Sequence, residues 1–343
     1  MTTQSVVSAV EKQTFDEDGV VCLRGVLDPQ EIGMLRSVLA RQLRDHGQSK
    51  TSYDLESIAR QVWDGNSSID VGKADRFDVD GLAAVIQSDD EARPLFEDDN
   101  HEDEGLFLYK VGDWRNHRGI RRVGFDSKIP QIVAELLDTE TLNWWEDSTF
   151  VKAPHTRLKT PFHQDLTYFQ ISGDQSVIVW IPLDPSDLSN GVTRYVRGSH
   201  KSGETYAPNM FLSQTVFPGS EDPKCPDIEA DESQYDIISF DVEPGDVIIH
   251  HVRTIHGAGG NTTDKPRRAI SFRYTGDNVR YFDKPGALPQ TDTISDLKNG
   301  DRLHSLDYPI VWPTPWPGVS ISDLYDMLIS SREPFDNEKV EAA

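Results

Sequence analysis

His163 and Asp165 stand two residues apart, His256 follows 91 residues after that acid, and Arg267 comes eleven residues later still. Two imidazoles and a carboxylate form a donor set that holds Fe(II) on one face and leaves the opposite coordination positions open. A neighbouring arginine adds a planar fork that grips a carboxylate through two parallel hydrogen bonds. Together these residues imply an iron oxygenase that consumes a 2-oxo acid. A His-X-Asp triplet alone has little specificity, because a structural polar pair is its commoner fate. The distal histidine in a glycine-rich turn after an apolar strand, with an arginine beyond it, makes the pattern specific.

Other histidines compete for a place at the metal. His250 and His251 end the apolar run 247–251, where packing beside the site and an outward polar face are the expected roles. His200 falls in the turn Gly198-Ser199-His200, and His155 is no stronger a candidate. One carboxylate and two imidazoles already complete the facial set, so none of these is needed as a ligand. Arg267 and Arg268 are adjacent, and strand geometry sends them to opposite faces. Arg267 shares its parity with Ala269 and Ser271, Arg268 with Ile270 and Phe272, and spacing alone leaves open which series faces inward.

Positioning such groups requires a rigid frame. In a strand, residues i and i+2 share a face, so His163 and Asp165 are expected to point inward together while Gln164 points the other way or toward the rim. His256 then supplies the third donor from a strand across the barrel. Apolar segments at 142–145, 148–152, 177–181, 192–196, 247–251 and 269–274 are separated by turns such as Asn190-Gly191 and Pro244-Gly245-Asp246. Many short strands with such separators predict a sandwich or jelly-roll barrel, mainly β with flanking helices. Upstream, Val20 to Leu23 reads as a strand. Asp28, Pro29 and Glu31 supply an N-cap, a first-turn proline and a capping-box acid for a helix over 29–45, with Ile32, Leu35, Leu39 and Leu43 on one face. Further helices are expected at 130–137 and 322–329, and the proline-rich run 312–317 is expected to wrap the barrel without joining a sheet interior.

The whole chain 1–343 reads as one domain. A helical and mixed part at 15–140 carries an insertion at 46–105, the β core spans 141–285, and an extension at 286–343 wraps it. The insertion ends in the acidic stretch 97–104, expected to be an exposed loop or mobile segment; a solvated face is a commoner role for such a run than a divalent-cation site. A net charge of -24 opposes binding to nucleic acid or anionic lipid, and no apolar run is long enough to span a membrane. A small-molecule substrate and a monomer or homodimer are the expectation. Only Cys22 and Cys225 are present, and the first residues lack the basic and apolar regions of a signal peptide, so a reducing cytoplasm is the expected setting.

Residues 15–21 with the capped helix after them, His163-Gln164-Asp165-Leu166, the run from Gly191 through Gly198-Ser199-His200, Gly245-Asp246-Val247, His256-Gly257, Asn261 and 267–271 carry a resemblance. They resemble the phytanoyl-CoA dioxygenase family of Fe(II)/2-oxoglutarate oxygenases, over most of residues 15–280. The resemblance implies a double-stranded β-helix of the jelly-roll, cupin-like kind, with Fe(II) on His163, Asp165 and His256. It implies Arg267 as the clamp for the distal carboxylate of 2-oxoglutarate, Gln164 and Trp180 lining the co-substrate pocket, and O2 as the second co-substrate. It further implies hydroxylation of a small organic substrate with release of succinate and CO2. Ala258 stands where relatives often carry a hydroxyl residue, and the retained Asp165 separates the chain from relatives that halogenate. Arg194, Arg197, Tyr168, Phe169 and Arg273 are candidates for the open side of the pocket, against the plainer reading as rim residues. The rival functions are a cupin-like isomerase or hydrolase using zinc or manganese, and a non-catalytic metal- or ligand-binding protein.

Overall fold

The computed structural model describes residues 5–45, 52–54, 107–209, 214, 216, 220–284, 287, 295–314 and 318–330. In chain order these form α1 (Ala9–Asp18), β1 (Val20–Leu23), α2 (Pro29–Asp45), β2 (Ser52–Asp54), β3 (Phe107–Val111), α3 (Arg118–Asp126), α4 (Ile129–Leu137), β4 (Leu142–Lys152) and β5 (Thr160–His163). Then come β6 (Ile171–Ser172), β7 (Ser176–Pro182), β8 (Thr193–Val196), β9 (Ile237–Ser239), β10 (Val247–His251), β11 (His256–Ala258), β12 (Arg267–Thr275), β13 (Arg280–Tyr281), β14 (Ile310–Trp312) and α5 (Ile321–Ser330).

Among the described residues a large antiparallel sheet runs β1-β10-β7-β12-β4-β3-β2, with β14 also paired to β4, and a smaller sheet runs β5-β11-β8-β9. The two sheets form a jelly roll. Alternation along β12 sorts the large sheet's two faces. Ile270, Phe272 and Tyr274 join the core built with Leu35 and Leu39 of α2, Ile120 and Val123 of α3, and Ile132 and Val133 of α4. Arg267, Ser271 and Arg273, of the opposite parity, line a cavity facing the small sheet. The helices thus shield one face of the sheet from water, and the site is built on the other.

Local signals account for the helix starts. Asp28 accepts from the backbone N–H groups of Gln30 and Glu31 at 2.7 and 2.9 Å, while Glu31 accepts from the Asp28 N–H at 2.8 Å, closing a capping box ahead of Pro29. In α1, Ser8 and Glu11 make the same exchange, and Gly19 ends the helix in the left-handed conformation at φ 76°.

Several sequence expectations change. The segments 142–145 and 148–152 are one continuous strand, β4: half-buried Glu146 pairs with Arg273, and buried Asp147 accepts from the Trp114 N–H through Oδ1. The sheet also extends beyond 141–285, since β1, β2, β3 and β14 all pair into it. The strand carrying His256 does not lie across the barrel from His163: β11 and β5 are hydrogen-bonded neighbours. The acidic stretch 97–104 and the end of the chain after 330 lie outside the described residues. Among the described residues no helix is long and apolar enough to cross a membrane.

Candidate metal centre and co-substrate cavity

Antiparallel pairing sets His163 of β5 directly opposite His256 of β11. Opposed residues on an antiparallel ladder share a face, so both imidazoles project together, with ring centroids 4.4 Å apart. Asp165 arrives by a different route from the one strand periodicity suggests. β5 stops at His163, and Asp165 opens a 3-10 turn (Asp165–Tyr168) held by the Leu166 N–H donating to the Val252 carbonyl at 3.0 Å. The turn swings the carboxylate back toward the imidazoles. His163 Nε2 lies 3.8 Å from Asp165 Oδ1, and His256 Nε2 lies 3.4 Å from Asp165 Oδ2. One donor atom from each of the three residues falls within 4.8 Å of the others.

The tautomers suit a metal. His163 Nδ1 donates to the Pro161 carbonyl at 2.7 Å and His256 Nδ1 to the Thr254 carbonyl at 2.9 Å. A carbonyl only accepts, so the proton sits on Nδ1 and the Nε2 lone pair of each ring faces Asp165. An octahedral ion with bonds of about 2.1 Å places neighbouring donors about 3 Å apart, so a small contraction converts this cluster into a coordination face. Burial pushes His163 and His256 down to about 4, against the pull of the Asp165 charge, and both rings are neutral at pH 7. Burial also works against ionised Asp165, but His256, the His250 hydrogen bond and His163 outweigh it, and the carboxyl stays below the usual range. Two neutral rings with free Nε2 lone pairs beside a carboxylate that His250 holds are the donor set a metal cation takes.

His250 packs beside the site, as its place in the sequence predicts, and adds a hydrogen bond to one of the donors. Its Nε2–H donates to Asp165 Oδ2 at 3.1 Å, and its ring lies 4.4 Å from that of His256. The position of His250 at the fourth place of β10, with inward parity, was the available signal. His251 instead packs at a tilt against Phe15 and His200, and His155 pairs with Asp264 at the surface.

Beside the three donors lies a cavity of about 70 Å³, lined from the large sheet by Phe107, Tyr109, Trp180 and Arg267 among others, and from the small one by Thr160, Thr193 and Ala258. At on the order of 10–15 Å³ per water, it admits several waters or a small acid. The parity question at 267 and 268 is settled by partners. Arg268 points outward and grips Asp184 through Nε and Nη2 at 2.7 and 2.6 Å. Arg267 faces the cavity, only 3% exposed, with its carbon Cζ 5.8 Å from the Trp180 ring centre. Its Nε has no partner among the described residues, and burial pushes the guanidinium down to about 10. That value still leaves a buried cation with no counter-charge in contact among the described residues.

Gln164 is not at this cavity. Its amide donates to the Arg253 and Glu204 carbonyls at 2.9 and 3.2 Å and accepts from the Tyr206 N–H at 3.3 Å, so it ties loops together on the far side of the strand, as its odd parity dictates. Trp180 does line the cavity. Of the other open-side candidates, Arg194 is paired with Glu229 and Glu232, and Arg197 with Asp18 and Asp236. Tyr168 stands edge-on to His163 at 5.5 Å and donates its hydroxyl to Asn209, while Arg273 lines the cavity.

A jelly roll carrying a His-Asp-His cluster between its sheets defines a cupin-like protein with a candidate metal centre. The chain belongs to the phytanoyl-CoA dioxygenase (PhyH) family, whose model matches residues 15–269. A probable phytanoyl-CoA dioxygenase of Caenorhabditis elegans is 30% identical over 133 residues, a stretch that covers 38% of this chain and 41% of that protein. The peroxisomal phytanoyl-CoA dioxygenase of Bos taurus is 28% identical over 288 residues, covering 82% of this chain and 72% of that protein. Among solved structures, the non-heme alpha-ketoglutarate-dependent carbocyclase SnoK from nogalamycin biosynthesis aligns with a TM-score of 0.61 at 21% identity, covering 89% of this chain and 96% of its own. The epimerase SnoN, solved with Fe3+, alpha-ketoglutarate and nogalamycin RO, aligns with a TM-score of 0.60 at 19% identity, covering 88% and 97%. The PhyH family uses Fe(II), 2-oxoglutarate and O2.

Proposed function

We propose that the chain is an Fe(II)- and 2-oxoglutarate-dependent dioxygenase that hydroxylates a small organic molecule, with His163, Asp165 and His256 holding the metal. The observation that carries this reading is the presence, in one cavity, of the three converging donors and a buried guanidinium whose Nε has no hydrogen-bond partner among the described residues. The donors alone would serve an isomerase or hydrolase as well; the buried guanidinium beside them favours a co-substrate with a distal carboxylate, in keeping with the family. Bound iron with 2-oxoglutarate and O2 supplies the oxidising chemistry, the co-substrate leaving as succinate and CO2.

The chain's own groups do the rest. The Pro161 and Thr254 carbonyls fix the rings of His163 and His256 with Nε2 forward, and His250 fixes the Asp165 carboxylate. Arg267 orients the distal carboxylate of the co-substrate, with Trp180 walling its pocket. Ala258 offers no hydroxyl, but its register partners Thr160 and Thr193 flank it at the cavity and supply polar groups from the neighbouring strands. Gln164 has no part in this pocket. The test is succinate formation from 2-oxoglutarate with Fe(II) and O2 in the wild type and in Asp165→Ala. Turnover that is abolished in the variant supports the assignment, and equal turnover refutes it.

A further inference from the structure

Two arginines on the same face of β12, Arg267 and Arg273, line one cavity, and only the first has a role so far. They stand six residues apart, which at a strand's rise of about 3.3 Å per residue separates their backbones by roughly 20 Å. A five-carbon diacid held at Arg267 therefore leaves Arg273 free for another molecule. Register places Arg273 at the level of the metal cluster: His250 pairs with Ile178, and Ile178 pairs with Arg273, two strands or about 10 Å across the sheet.

Arg273 is 5% exposed and incompletely satisfied. All its hydrogen bonds run from Nη1, to Glu146 at 3.3 Å and to the Ser148 hydroxyl. Nε is buried without a partner, and Nη2 makes no hydrogen bond among the described residues. The Nε–Nη2 edge is the one with which Arg268 holds Asp184 in this same chain. The Phe169 ring centre lies 5.2 Å from Cζ, so an aromatic side chain already packs against the guanidinium, and the unpaired Nε–Nη2 edge is the part left for a ligand. Glu146, already in contact through Nη1, disfavours a dianion such as phosphate at the adjoining edge.

We propose that Arg273 is the substrate anchor, and that the substrate is a small organic acid whose single carboxylate docks on the Nε–Nη2 edge of Arg273. The proposal rests on the oxygenase reading and extends it by naming the class of substrate. The test titrates the full chain, loaded with Mn(II) and saturated with 2-oxoglutarate so that nothing turns over. The probes are propionate, hexanoate, phenylacetate and 3-phenylpropionate, each beside its primary amide, with binding read by calorimetry. At least one acid is expected to bind 10-fold or more tightly than its amide. That preference should vanish in Arg273→Gln and in the double variant Arg273→Gln/Glu146→Gln, which spares the fold an unpaired half-buried acid. Binding of 2-oxoglutarate should persist in both. Absence of any acid-over-amide preference, or its survival in the double variant, overturns the proposal. If 2-oxoglutarate itself fails to bind the wild type, the oxygenase reading has failed instead, and the acid–amide comparison is then read in Mn(II)-loaded Arg267→Gln without it.

Discussion

The 3.1 Å contact from His250 to Asp165 determines how firmly the carboxylate is aimed. Partners of this kind beyond the ligands are worth 10- to 100-fold in metal affinity, so His250→Phe is expected to weaken Mn(II) binding by about that factor without abolishing it, as calorimetry would show. Loss as complete as in Asp165→Ala would make His250 a ligand. The pH response follows from the depressed imidazoles. His163 and His256 titrate at about 4 when folded and at about 6.5 when unfolded. Between those values the unfolded chain holds more protons, so the metal-free fold loses stability as pH falls through that window. Protons compete with the metal only near the lower value. Mn(II) affinity should stay level from about pH 8 to 5.5 and drop below about 5; a decline already under way at pH 7 would contradict the burial argument. At this scale type and spacing pointed to the three donors, while the choice between Arg267 and Arg268 came from the family resemblance and, in the fold, from the Asp184 partner of Arg268. Strand alternation pointed Gln164 away from the pocket, as found, while the resemblance put it there; His250 was expected beside the site, but its bond to an acid 85 residues away could not be read from an apolar run.

Between residues and molecule, the β5–β11 pair is the element on which the site depends. Gly257, next to His256, lets the strands close: a Cβ there would meet the Thr160 carbonyl oxygen at 2.9 Å and the Phe162 nitrogen at 3.1 Å, both backbone atoms that cannot swing away. Gly257→Ala is therefore expected to cost about 1–3 kcal/mol by overpacking. It should also separate His256 from His163 enough to weaken Mn(II) binding at least 10-fold. Urea denaturation and calorimetry on the same variant check both halves, and an unchanged affinity with lowered stability would uncouple the ladder from the site. Elements with a strong local code were legible: α2 from its capping box and apolar spacing, β10 and β12 from their apolar runs. The continuity of β4 was not, because Glu146 and Asp147 interrupt its apolar pattern while pairing with Arg273 and the Trp114 N–H, both supplied from elsewhere. Nor was the 3-10 turn at Asp165, which is held by a carbonyl of Val252.

Across the whole molecule, charge is the dominant unbalanced quantity: 58 acidic against 34 basic residues leave -24. Like charge opposes the compact state, and the opposition is screened by salt over about 10 Å at 0.1 M and about 3 Å at 1 M. Ion pairs work in the opposite sense, since salt weakens them. The pairs joining distant elements include Arg118 and Arg122 with Asp323 and Arg197 with Asp18, and each is at least partly exposed. Exposed pairs contribute about 0–1 kcal/mol apiece and already compete with water. The sheet-to-helix core and the buried clusters around Trp144 are indifferent to salt at this level, so the net response is set by repulsion. Raising NaCl from about 0.05 to 0.5 M is therefore expected to raise Tm by about 1–2 °C, the shift that roughly 1 kcal/mol produces in a chain of this size. Differential scanning calorimetry on the metal-free chain measures it directly. A fall in Tm would mean that the inter-element ion pairs, and not the acidic excess, govern the electrostatics of the fold.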